Sequence, residues 1–131
     1  LPVVALFGDP EHDPTSEMHG WPELTLAGQE ESRALGPHAV VVGPHNVLCG
    51  RLMVEMHDEP NVYCDSERRT AYDFLGRAPP PAGRDRLVVE SSRYPARSET
   101  LPACSLAREV IVERAGVRAA RYRLYACPPS E

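Results

Sequence analysis

At 131 residues with a formal net charge of −5, the chain is long enough for one domain with a modest core and too acidic for a nucleic-acid-binding polycation. No run of 18 apolar residues occurs, so no transmembrane helix is expected. Four cysteines without a CxxC pair favour disulfides over zinc, and with them a secreted or extracytoplasmic location.

All 14 basic residues are arginine; Ile111 is the single isoleucine, and Asn46 and Asn61 are the only asparagines. That bias is expected of a GC-rich genome, as in actinobacteria or large DNA viruses. Opening on Leu1 rather than Met is expected of a processed chain without its signal peptide. Charge is segregated: residues 1–32 carry seven acids and no arginine, whereas residues 93–125 carry seven arginines against three glutamates. Attraction between the two ends of one fold explains this, and so does a basic face for an acidic partner.

In chain order, Leu1–Phe7 reads as a short buried strand ending at Gly8. A polar loop follows from Asp9 to Glu23, broken by Pro10, Pro14, Gly20 and Pro22, with Trp21 as a lid on the core or a contact residue. Thr25 is positioned to cap a helix to about Leu35, stopped by Gly36-Pro37, with Leu26, Ala27, Ala34 and Leu35 inward. Ala39–Val42 is a strand.

Val47–Met56 reads as the longest strand, with Leu52, Val54 and Met56 on one face, and a turn at residues 57–60 leads into Asn61–Cys64. Cys49 and Cys64 thus flank a hairpin-like unit. A second helix is expected from Asp65 or Ser66 to about Leu75, then an extended Pro-rich connector from Arg77 to Gly83. Arg86–Glu90 is a strand, and Ser91–Ala103 an irregular crossing.

The chain closes on two strand-like runs around Ala115 and Gly116. A two-residue turn there places Cys104 opposite Cys127 but sets Arg108 against Arg123, an unfavourable pairing. A register slipped by one, with a three-residue loop, gives Glu109 opposite Arg123 and Val110 opposite Tyr122. A bulge nearer the cysteines is the alternative, and both keep Cys104 and Cys127 within bridging reach. The expected fold is therefore a single α+β, β-rich domain over residues 1–131. It is a small antiparallel sheet with one or two short helices and two disulfide-closed hairpins, Cys49–Cys64 and Cys104–Cys127 being the simplest of the three connectivities that four cysteines allow.

For chemistry, the loop Asp9, Glu11, His12, Asp13, Glu17, His19 offers oxygen and nitrogen ligands, but its spacing matches neither a calcium loop nor a zinc hydrolase helix. His12, His19, His38, His45 and His57 are candidate bases, with no nucleophile elbow to serve. No metal and no cofactor is assigned. The segments Val3–Phe7, Asp13-Pro14-Thr15, Gly20-Trp21-Pro22, Leu24–Gly28 and Ala34-Leu35-Gly36 resemble the early part of histidine phosphatases, and Asp65–Leu75 a later helix of the branch that includes phytases. The resemblance implies a phosphate-transferring hydrolase, yet that family's Arg-His-Gly is Gly8-Asp9-Pro10 here, and no arginine precedes Arg33. Pro60-Asn61-Val62 and Ala71-Tyr72, in a small lysine-free chain with four cysteines, are similar to glycoprotein L subunits of herpesvirus entry complexes. That likeness implies a soluble accessory subunit.

No residue set meets the requirements of a catalytic centre. The expected function is a non-catalytic extracellular protein-binding module: an interaction domain, inhibitor or accessory subunit of an extracellular or viral envelope complex. The alternative is a small hydrolase, metal-dependent or histidine-phosphatase-like, using loop 9–23. The expected contact residues are Arg118, Arg121 and Arg123, then Tyr122, Tyr125 and Trp21, facing another protein with an acidic surface. Neither nucleic acid nor membrane insertion is expected.

Overall fold

A computed structural model describes residues 20–56, 61–64, 83–96 and 101–129. The expected strand at 1–7, the loop at 9–19, the helix at 65–75 and the connector at 77–82 lie outside these residues. The described elements are helix α1 (Trp21–Leu35), strand β1 (Val40–Gly43), helix α2 (Asn46–Glu55), and strands β2 (Asn61–Cys64), β3 (Arg86–Ser91), β4 (Ser105–Arg114) and β5 (Val117–Cys127). A single 3-10 turn, Leu101–Ala103, precedes β4. The strands form one five-stranded sheet in the order β2-β1-β3-β5-β4. The α+β, strand-rich class and both disulfides, Cys49–Cys64 and Cys104–Cys127, are as the sequence indicates.

The sheet is antiparallel only in its second half. β1 runs parallel to both β2 and β3, whereas β5 is antiparallel to β3 and β4. The difference traces to Val47–Met56, which is helix α2 and not a strand. Leu48, Leu52 and Met56 recur every four residues and are all buried, while Val54 is 65% exposed. Apolar residues at 52, 54 and 56 fit a strand equally well, so only the packing partner decides. A helix here is what two parallel strands need, since their connection must cross back over the sheet. His45 starts it, its Nδ1 accepting the Val47 N–H at 3.2 Å. The Cys49–Cys64 bridge consequently staples a helix to a strand, with Cα atoms 5.6 Å apart, rather than closing a hairpin.

Helix α1 begins at Trp21, four residues before the expected cap, because Pro22 sits in its first turn, where a missing N–H is no loss. Leu24, Ala27, Gly28 and Ser32 are buried; of the residues expected inward, Ala27 is buried and Leu35 packs on the core, whereas Leu26 (57%) and Ala34 are exposed. Gly36 ends it, as expected.

Both helices cover one face of the sheet. Leu24, Leu48, Leu52 and Met56 pack there on Val41, Leu87, Val89, Val112, Tyr122 and Leu124. On the opposite face Val40, Val42, Val88 and Cys127 are covered by Tyr63, Ala96, Leu101, Cys104 and Tyr125. Central strands β1 and β3 are thus buried on both sides, which is why they read as unbroken valine-rich runs.

The β4–β5 hairpin combines the competing registers. Its tip is the tight two-residue turn, with Ala115 at φ 53° and Gly116 at φ 76°, the pattern of a type I′ turn. Register shifts between Val112 and Glu113 and between Leu106 and Arg108 then slip the middle by one and restore it. The extra residues are Ala119 on β5 and Ala107 on β4, so the two bulges cancel. Glu109 faces Arg123, Val110 faces Tyr122, and Cys104 still meets Cys127 with Cα atoms 4.3 Å apart. The slip comes from a bulge, not from the expected three-residue loop.

Candidate functional site

The pleat of β5 divides the expected contact residues between two faces. Ala120, Tyr122 and Leu124 point to the helices, and Arg121, Arg123 and Tyr125 point away from them. Tyr122 is 2% exposed and its ring lies 5.9 Å from that of Trp21, itself half-buried against the core. The Arg51 guanidinium lies 5.3 Å from the centre of the Trp21 ring and covers it. Trp21 is thus a lid on the core and Tyr122 part of it, which leaves the four C-terminal residues Arg118, Arg121, Arg123 and Tyr125 as the candidate contact set.

The outer face of the hairpin is built around two carboxylates. Arg123 Nε donates to Glu109 Oε2 at 2.8 Å across the β4–β5 pair. That hydrogen bond, reinforced by the charges of Arg123, Arg121 and Arg118, holds the Glu109 carboxyl below its usual range and raises Arg123 in return. Inboard, Tyr125 Oη donates to Glu90 Oε1 at 3.0 Å, and the Ala96 N–H donates to Glu90 Oε2 at 2.7 Å. Burial first, and then the neighbouring Glu90, push the Tyr125 phenol up. Glu90 therefore anchors the crossing segment onto the sheet. Ser92 N–H to Arg121 O, 3.0 Å, and Tyr94 N–H to Ser91 Oγ, 2.9 Å, hold the same segment.

Glu90, Ser91, Ser92, Pro95, Arg121 and Arg123 line an open hollow of about 160 Å³. It is smaller than the roughly 300 Å³ at which drug- or cofactor-sized pockets begin, and two guanidinium groups share its lining with the Glu90 carboxylate. Beside it, on the same face, edge strand β4 exposes Leu106 (55%) and Ile111 (44%). Glu90, Glu109, Leu106 and Ile111 were not among the expected site residues. Only Glu109 was legible in advance, through the charge pairing that selects the register.

On the helix side the segregated charges meet. Arg108 pairs with Glu30 at 2.9 Å and Glu31 at 3.2 Å, and Arg114 with Glu23 at 3.1 Å. The hydrogen bond that Arg108 donates to Glu30 raises its guanidinium further. Part of the acid–base segregation is thus spent in docking α1 on β4.

The acidic loop at 9–19 and His57 lie outside the described residues, and among those described no group of three or more His, Cys, Asp or Glu side chains converges as a metal site. All four cysteines are paired. No described helix is long and apolar enough to cross a membrane. Comparison with known protein families finds none that matches this chain, and comparison with curated proteins and with solved structures likewise finds no match.

Proposed function

We propose that this chain is a non-catalytic, extracytoplasmic protein-binding module, an interaction domain, inhibitor or accessory subunit, that presents the outer face of its closing hairpin to an acidic patch on another protein. The reading is carried by Arg121, Arg123 and Tyr125 sharing one face beside the hollow that the two arginines line, with exposed Leu106 and Ile111 next to them. An arginine- and tyrosine-bearing centre flanked by apolar side chains is the composition of protein interfaces. Two disulfides are consistent with an oxidising compartment.

The test is capture from extracellular material by the wild-type chain and by an Arg118→Glu/Arg121→Glu/Arg123→Glu variant. Reversal at Arg118 and Arg123 faces Glu113 and Glu109 with like charge across the β4–β5 pair, so a neutral Arg118→Gln/Arg121→Gln/Arg123→Gln variant is tested beside it, and circular dichroism checks that both keep the fold. Wild-type capture that falls with added salt and is lost in both variants supports the reading; equal capture by all forms removes this face from it.

A further inference from the structure

Strand β4 is the longer of the sheet's two edges. β2, the other, spans four residues and is stapled to α2, whereas β4 spans ten. Among the described residues no strand pairs with the outer side of β4. An exposed edge of that length is normally guarded by charged side chains, proline, a bulge or a covering segment. Residues 105–114 contain neither lysine nor proline, and the one bulged residue on this strand, Ala107, lies before Arg108. Three of their charged side chains turn inboard: Arg108 to Glu30 and Glu31, Arg114 to Glu23, and Glu109 to Arg123. What faces outward is the backbone of a run with no extra residue on β4 from Arg108 to Arg114, the bulge against it lying on β5 at Ala119, with Val110-Ile111-Val112 at its middle and Ile111 exposed.

We infer that the edge of β4 over residues 108–114 accepts an extended, apolar-centred segment of another protein as a sixth strand of the sheet. The inference rests on the binding-module reading above and specifies the partner's form. A second copy of this chain is a poor occupant, for a reason of charge. Self-pairing that uses the whole regular stretch is centred on Ile111, and it sets Glu109 against Glu113 and Arg108 against Arg114. Like charges directly opposed across a strand pair are destabilising. A foreign strand escapes this when it places apolar residues opposite 110–112 and opposite charges at the flanks. Main-chain hydrogen bonds then supply the affinity and the side chains the selection.

The probe is the peptide acetyl-Asp-Lys-Val-Val-Val-Lys-Asp-amide, complementary to residues 108–114 in the antiparallel sense, titrated into the full chain and read by amide chemical shifts. Two further versions carry N-methyl groups on alternate residues, in one frame or the other. In a strand only one of these two frames points its N–H groups at β4. Strand addition therefore predicts shifts centred on β4 amides, near-wild-type binding by one N-methylated peptide, and about tenfold or greater weakening for the other. Ile111→Lys, an exposed position checked by thermal melting, is expected to weaken the parent peptide comparably. Equal binding by both N-methylated forms overturns the inference in favour of side-chain contact alone. A wild-type dimer made monomeric by Ile111→Lys overturns it in favour of self-association. No peptide binding, together with partner capture that still depends on the three arginines, overturns the edge proposal and leaves the binding-module reading standing.

Discussion

Two small residues hold left-handed backbone, with opposite consequences. Gly20 precedes α1 with φ at 86°, and a Cβ there would stand 2.7 Å from Val112 Cγ2 and 3.0 Å from Tyr122 Cε2. Both neighbours are core atoms on the sheet, so neither can swing away. Gly20→Ala is expected to lower stability by about 2 kcal/mol through clash and left-handed strain together, measured by urea unfolding. Ala115 is the opposite case. It holds φ 53° at an exposed hairpin tip, which costs a residue with a Cβ about 1 kcal/mol. Ala115→Gly or Ala115→Asn is therefore expected to raise stability by roughly 0.5–1 kcal/mol and to shift the unfolding midpoint upward. In sequence Gly20 reads only as a breaker, because the contact that makes it obligatory comes from strands ninety and more positions away in the chain.

Helix α2 depends on its first turn. The His45 imidazole accepts the Val47 N–H, and its ring stacks on Tyr94 with centroids 4.2 Å apart and planes 13° from parallel. His45→Ala removes both interactions and is expected to cost about 1–2 kcal/mol. His45→Asp restores the cap without the ring and should recover part of that loss; a loss equal to that of alanine would show the stacking to be the dominant contribution. The same segment shows why element type was only partly legible. Leu48, Leu52 and Met56 follow helical spacing while Leu52, Val54 and Met56 follow strand spacing. Burial of the first set against α1 and the sheet, with Gly28 letting α1 approach Met56, settles the choice. For the closing hairpin, by contrast, the position of the turn and the Glu109–Arg123 pairing were readable locally, though the loop length was not.

Across the whole molecule the two disulfides divide the work. Cys49–Cys64 ties helix α2 to the parallel edge, and Cys104–Cys127 closes the antiparallel hairpin, with sequence separations of 15 and 23 residues. Loops of that size restrict the unfolded chain by roughly 3 kcal/mol each in the chain-entropy account. Separate Cys49→Ala/Cys64→Ala and Cys104→Ser/Cys127→Ser variants are expected to lose about that much apiece, measured by denaturant unfolding without reductant. An unchanged midpoint in either variant would show that bridge to be dispensable. The docking of acidic α1 on Arg108 and Arg114 of β4 is a second long-range tie, and at the surface it should weaken as salt is added.

The order of residues alone pointed to the Cys104–Cys127 pairing, the closing hairpin and its charge-matched middle register, because each depends on groups brought together by a short turn. It also determined the valine strands and the stop of α1, which rest on composition and on glycine. The parallel half of the sheet, the helical state of residues 46–55 and the inward side of Tyr122 were decided only in three dimensions. A short apolar run satisfies helix and strand periods alike, and a tyrosine on a pleat has two faces to choose between. What breaks those ties is the surface each residue finds to bury against, and that surface is assembled from segments far apart in the chain.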